Sequence, residues 1–195
     1  MAPYMARPKS DDKRNAILAA ATQVVAEQGL GAPTATIAKM AGVAEGTLFT
    51  YFATKDELLN RLYLELKSEL SEAMVPPASK SSDAHTRLRL GWQQYVRWGV
   101  SYPQKRKVLA QLGVSDRITE QSKAAGMRAF TEINEMLQES VASGALRDRP
   151  AAFVGAIMSS LAETTMDFMA RDPAHADDYA TSGFEAFWNA IATSR

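Results

Sequence analysis

The sequence predicts an all-α protein of about nine helices: an N-terminal three-helix unit with a helix-turn-helix, a long fourth helix, and a C-terminal helical bundle. Three observations carry this. Apolar residues recur at helical spacing through most of the chain, and no segment reads as a strand. Glycines and prolines fall between the periodic runs, where helices stop. Residues 34–55, TATIAKMAGVAEGTLFTYFATK, have the spacing of two short helices around a tight turn.

A length of 195 residues allows one or two domains with a sizeable core. With no cysteine, a disulfide framework and a thiolate metal site are excluded. No apolar run reaches the roughly 18 residues of a membrane span, and the start, MAPYMARPKS, has no apolar stretch of the signal-peptide kind. A cytoplasmic protein with no membrane partner is expected. The formal net charge is zero. Through Lys67, eight basic residues against seven acidic ones give +1, so bulk charge does not announce nucleic acid. Arg7, Lys9, Lys13 and Arg14 cluster at the start. They read either as a basic arm along a phosphate backbone or as a solvated terminus.

The first helix is expected from Ser10 or Asp11 to Gln28. Ile17, Leu18, Ala21, Val24, Val25 and Gln28 share one face, and Gly29 stops it. In the next pair, Ile37, Ala38, Ala41, Val43, Leu48 and Phe52 supply the inner positions, and Gly42 sits where the chain must turn. Residues 46–52, GTLFTYF, leave small and hydroxyl side chains on the outer surface, where a helix built for solubility carries Lys and Glu. Small polar residues let a backbone sit deep in a DNA groove. The other reading is an ordinary helical hairpin in a core. Thr54 and Glu57 have capping-box spacing, so a new helix starts there, with Lys55 in its first turn.

That fourth helix keeps Leu58, Leu59, Leu62, Leu66 and Leu70 on one stripe to about Met74. Residues 75–82 are a linker by composition, and Asp83 caps a helix carrying Leu88, Trp92, Tyr95, Val96 and Trp98. Pro103 ends it. A short helix follows to Gly113, whose Lys105, Arg106 and Lys107 read as a solvated face rather than a second nucleic-acid site. One longer helix is expected from Ser115 or Asp116 to Gly144, burying Ile118, Phe130, Ile133, Leu137 and Val141. After Pro150, residues 151–162 carry no charge, which points to cover from a second subunit. Asp172-Pro173 breaks this helix, and the last one carries Phe184, Phe187, Trp188 and Ile191 on one side.

The helix-turn-helix stretch resembles the TetR family of bacterial transcriptional regulators, whose pattern is close to T-x-x-I-A-x-x-A-G-V-S-x-G-T-L-Y-x-Y-F-x-x-K-x-x-L. Thr34, Ile37, Ala38, Ala41, Gly42, Val43, Gly46, Thr47, Leu48, Tyr51, Phe52, Lys55 and Leu58 match in register. Ala44 stands in place of the usual serine and Phe49 in place of the usual tyrosine, so two hydroxyl contacts are missing. The resemblance implies a DNA-binding domain over 1–55, with an arm at 1–10 and the helix-turn-helix at 34–53. It implies DNA contacts from Thr34, Thr36, Ala44, Gly46, Thr47, Phe49, Thr50, Tyr51 and Lys55. Residues 56–195 then bind a small effector and dimerise, and the chain acts as a repressor on an inverted-repeat operator. No cofactor is implied. Candidate dimer residues are Phe153, Ile157, Leu161, Phe184, Phe187, Trp188 and Ile191. Candidate effector-pocket residues are Trp92, Tyr95, Trp98, Met127, Phe130, Met158, Glu163 and Met166, any of which can instead be core.

No catalytic constellation is legible. His85 and His175 sit near helix starts in polar surroundings, with no ligand at metal spacing. Glu163 and Asp167, four apart on an apolar helix, read as a wet edge, a contact for a cationic ligand, or an acid/base pair. Two classes of function compete: a ligand-responsive DNA-binding regulator, and a helical ligand-binding or interaction module whose helix-turn-helix is structural only.

Overall fold

Among the described residues, periodicity and punctuation become ten α-helices and one 3-10 turn. The computed structural model describes residues 11–75, 83–141, 146 and 148–192, and no strand occurs among them. Arg7, Lys9, Gly144 and most of the linker fall outside the described residues. Two compact units form, one within Met1–Leu66 and Gln104–Ala124, the other within Lys67–Pro103 and Ala125–Arg195.

The first unit is built on α1 (Asp11–Gln28), α2 (Thr34–Met40), α3 (Glu45–Tyr51) and the start of α4 (Lys55–Met74). Its core joins Ile17, Ala21, Val24 and Val25 of α1 to Ile37, Leu48, Leu58 and Leu62, all essentially without solvent contact. Gly42 has φ +68°, the left-handed conformation that costs other residues a Cβ clash. Around it the Gly42 N–H donates to the Lys39 carbonyl at 3.2 Å and the Val43 N–H to the Ala38 carbonyl at 3.0 Å. This is a Schellman stop, and it sets the angle at which α3 leaves α2.

Residues 104–124 complete this core. Val108 and Leu112 of α6 (Pro103–Gly113) and Ile118 pack into it. The sequence places Ile118 in the buried stripe of a long helix; in the structure it precedes the helix and is 2% exposed. Around it, Asn60 Nδ2 donates to the Arg117 carbonyl at 2.8 Å, the Thr119 N–H donates to Asn60 Oδ1 at 3.0 Å, and Arg117 Nη1 meets Asp56 Oδ1 at 2.9 Å. These bonds hold the turn against α4, and the next helix starts at Glu120.

That long helix is also divided. It becomes α7 (Glu120–Arg128) and α8 (Thr131–Val141), which raises the expected nine helices to ten. No proline or glycine marks the break. The Thr131 hydroxyl donates to the Arg128 carbonyl at 2.7 Å, a local side-chain bond that competes with helix continuation.

In the second unit α5 (Ala84–Ser101), α8, α9 (Ala151–Arg171) and α10 (Ala176–Ile191) pack together, with the 3-10 turn Pro173–His175 between the last two. Its centre is aromatic. Trp92 stacks on Phe187 at 6.0 Å, and its indole N–H donates to the Ala180 carbonyl at 2.8 Å. Gly183 lies where a Cβ would collide with Thr165 Oγ1 and the Trp92 ring, so α9 and α10 approach closely there. His85, read as polar, instead lies edge-on to Phe184 and Trp188, at 5.2 and 4.6 Å. No described helix is long and apolar enough to cross a membrane.

Candidate DNA-reading helix and ligand cavity

The short helix α3 turns Leu48 fully inward and Ala44, Glu45, Gly46, Phe49 and Thr50 outward, while Thr47 and Tyr51 are half-buried. A seven-residue helix with one buried anchor presents the rest of its surface. Small side chains leave that surface low, and Phe49, 41% exposed, is its one large apolar group. Ala44 is the N-cap and gives no side-chain bond, as the missing serine implies. The Thr50 hydroxyl donates to the Gly46 carbonyl at 3.0 Å. The Thr34 hydroxyl donates to Glu45 Oε1 at 2.6 Å. Thr36 is half-buried on α2, whose end exposes Lys39 and Met40.

The start of α4 is capped as its spacing predicts. The Glu57 N–H donates to Thr54 Oγ1 at 3.1 Å, and Glu57 Oε2 accepts from the Ala53 N–H at 2.8 Å. Lys55 stands in this first turn. Burial, then the nearby Arg117 guanidinium, lowers its pKa, partly countered by Asp56. Glu45, Lys39, Met40 and Arg117 belong to this neighbourhood and escaped the sequence reading. Glu45 alone was findable, as the exposed residue beside Gly46.

The second unit holds a cavity of about 390 Å³. Lys67, Leu70 and Met74 of α4 line it with Tyr95, Met127, Phe130, Ile133, Asn134, Leu137 and Met158. The α9 wall is made of small residues, Ala151, Ala152, Gly155, Ala156 and Ser159. Thus Tyr95, Met127, Phe130 and Met158, singled out in the sequence, come together here. Trp92, Trp98 and Met166 do not line it. They are buried elsewhere, Trp98 bonded to Glu69 Oε1 at 3.1 Å. Glu163 is half-buried and also absent from the lining. The lysine was missed because Lys67 reads in sequence as the wet side of a leucine stripe. Part of the uncharged run at 151–162, attributed to a second subunit, faces this cavity.

Of the interface candidates, Phe184, Phe187 and Ile191 are at most 1% exposed within their own chain. Phe184 and Phe187 pack against Trp92 of α5, and all three are core within their own chain. Phe153 is half-exposed, and Ile157, Leu161 and Trp188 are half-buried. Phe168, 45% exposed on α9, joins them and was missed.

The profile of the bacterial regulatory proteins of the tetR family matches residues 17–62, the span containing α2, α3 and the cap of α4. The chain carries the tetR-family helix-turn-helix domain at residues 17–62. Over its whole length it is similar to the crystal structure of a putative tetR family transcription regulator from Shewanella sp. PV-4. That match has a TM-score of 0.83 and 28% identity, covering 93% of this chain and 99% of that one. An uncharacterised HTH-type transcriptional regulator, YhgD of Bacillus subtilis, is 26% identical over 145 residues, 71% of this chain and 74% of that protein. The transcriptional regulator FadR of Bacillus subtilis, solved in complex with stearoyl-CoA, shares the fold at a TM-score of 0.70 and 19% identity, covering 91% of this chain and 99% of that one. A DNA-binding transcriptional regulator's helix-turn-helix thus sits on an all-α fold shared with tetR-family regulators.

Proposed function

We propose that this regulator is a repressor, that it binds an inverted-repeat operator as a homodimer, and that a small, largely apolar effector releases it. The observation that supports it most is the division of α3: one buried leucine holds the helix while Gly46, Phe49 and Thr50 face outward. A groove-reading helix needs this low surface. Lys55, in the capped first turn of α4, adds a cation and backbone N–H groups for a phosphate. In this reading residues 1–55 bind DNA, with contacts from Thr34, Thr36, Thr47, Tyr51 and Lys55, and residues 56–195 bind the effector and the second subunit.

The dimer face is proposed on the exposed side of α9 and on α10, at Phe153, Ile157, Leu161, Phe168 and Trp188. A two-fold pair places two reading helices about 34–36 Å apart, one helical turn of DNA. The cavity supports the effector role: it is apolar, and α4, which supplies Leu70 and Met74, begins at Lys55. Bound stearoyl-CoA in the FadR neighbour shows that a member of this fold holds a ligand. A ligand that shifts α4 weakens DNA binding, and DNA weakens the ligand by the same factor.

The test is a gel shift on duplexes tiled across the DNA flanking the gene. An inverted repeat bound by two chains is expected. Uniform, sequence-independent binding to every duplex counts against the reading.

A further inference from the structure

The cavity has a chemical polarity of its own. Leucine, isoleucine, methionine, phenylalanine and alanine together make most of its wall. The polar lining is Lys67, Tyr95, Asn134 and Ser159, so one side chain is cationic and no carboxylate is among the described lining residues. Lys67 Nζ sits 5.0 Å from the Phe130 ring centroid, which places the ammonium beside the apolar wall.

We propose that this cavity takes an amphiphile with one aliphatic chain and one compact anionic head, a medium-chain carboxylate, with its head on Lys67 and its chain among Leu70, Ile133, Leu137 and Met158. The inference rests on the reading of this cavity as the effector site. A carboxylate only accepts hydrogen bonds, and lysine only donates them, so the pair forms a charge-assisted bond. The apolar wall and the half-burial of Lys67 strengthen that bond relative to one in open water. Asn134 and Ser159 supply further donors. An ammonium ligand instead meets like charge, and an alcohol or ester forgoes the ionic part. The volume lies near the lower end of the roughly 300–1,000 Å³ usual for ligand pockets, which suits one chain and a small head.

The chain's length allowance comes from α9. A Cβ built at Gly155 meets nothing within 4 Å, so this position borders open space. A larger side chain there starts without a clash at its Cβ and takes up volume in the cavity that Gly155 lines.

The experiment is calorimetric titration of the full-length protein, without DNA, with octanoate, decanoate and dodecanoate, and with decanol, methyl decanoate, decylamine and decanoyl-CoA. Carboxylates are expected to bind about tenfold or more tighter than the alcohol or ester of equal chain. Lys67→Met should bring decanoate down to the level of decanol, and Lys67→Arg should keep most of the preference. Gly155→Leu, folded by circular dichroism, should lose all the chains. Decylamine or decanol binding as tightly as decanoate overturns the proposal. So does a carboxylate preference that survives in Lys67→Met, tight binding of the thioester alone, or no binding by any chain. Carboxylate binding that leaves operator affinity unchanged supports this inference and sinks the switch instead.

Discussion

The Thr34 hydroxyl donates a 2.6 Å hydrogen bond to Glu45 Oε1, tying the first turn of α2 to the first turn of α3. Both residues stand at helix N-termini, where a carboxylate is favoured by the helix dipole. The bond holds a negative charge on the surface proposed to meet phosphates. Glu45→Gln should therefore bind random duplex about fivefold tighter, the size of one like-charge contact relieved in water. Fluorescence anisotropy on random and operator duplexes checks this, and unchanged affinity for random DNA refutes it.

Lys55→Ala should weaken all sequences alike and reduce the slope of log affinity against log salt by about 0.9, the loss of one phosphate contact. Lys55 also titrates early, because burial and Arg117 lower its pKa below the ordinary 10.5. The wild-type advantage over the alanine variant should thus shrink as pH rises toward that value.

Burial lowers the pKa of Lys67 as well, from an ordinary 10.5. Between the lowered value and 10.5 the unfolded chain holds the proton more often than the folded one, so stability gains with rising pH. Tyr95 is the other titratable side chain lining the cavity and stays in both proteins. The stability of the wild type relative to Lys67→Met, from urea melts, should improve as pH climbs through this window. A flat difference means that the ammonium is not desolvated.

Phe153→Glu with Leu161→Glu changes the outer side of α9 and should leave the helical spectrum intact. Sedimentation should then show monomers, and operator affinity should fall more than tenfold as one of two half-sites is lost. Phe184→Glu, placed in the aromatic core against Trp92, should unfold the chain instead. A folded, operator-competent monomer from the α9 variant removes this face as the interface.

Gly183→Ala should destabilise by about 1–3 kcal/mol, since the new methyl has to displace Thr165 or the Trp92 ring. In a chain of this size that is about 2–4 °C of melting temperature per kcal/mol. Scanning calorimetry reads it, and an unshifted midpoint shows that the helices part freely there.

What the sequence determined by itself is local. Gly42, Thr54 and Glu57 act over at most five residues of chain, so spacing alone locates the turn and the cap. Helical periodicity told which side of α3 is inward, because Leu48 and Phe52 leave one surface over. Tertiary structure decided whatever depends on distant neighbours. Phe184 and Trp188 share a helix and a pattern, yet one is core and the other partly open, because both Trp92 and His85 of α5 pack on the first while His85, at the start of α5, packs on the second. Lys67 belongs to the polar side of α4 until Phe130 and α9 enclose it as the charged end of a cavity. Ile118 has no helix of its own to bury it; Asn60 and Asp56, nearly sixty residues earlier, hold its turn against the first unit. Burial is a sum over contacts made by the whole chain, and no window of sequence contains that sum.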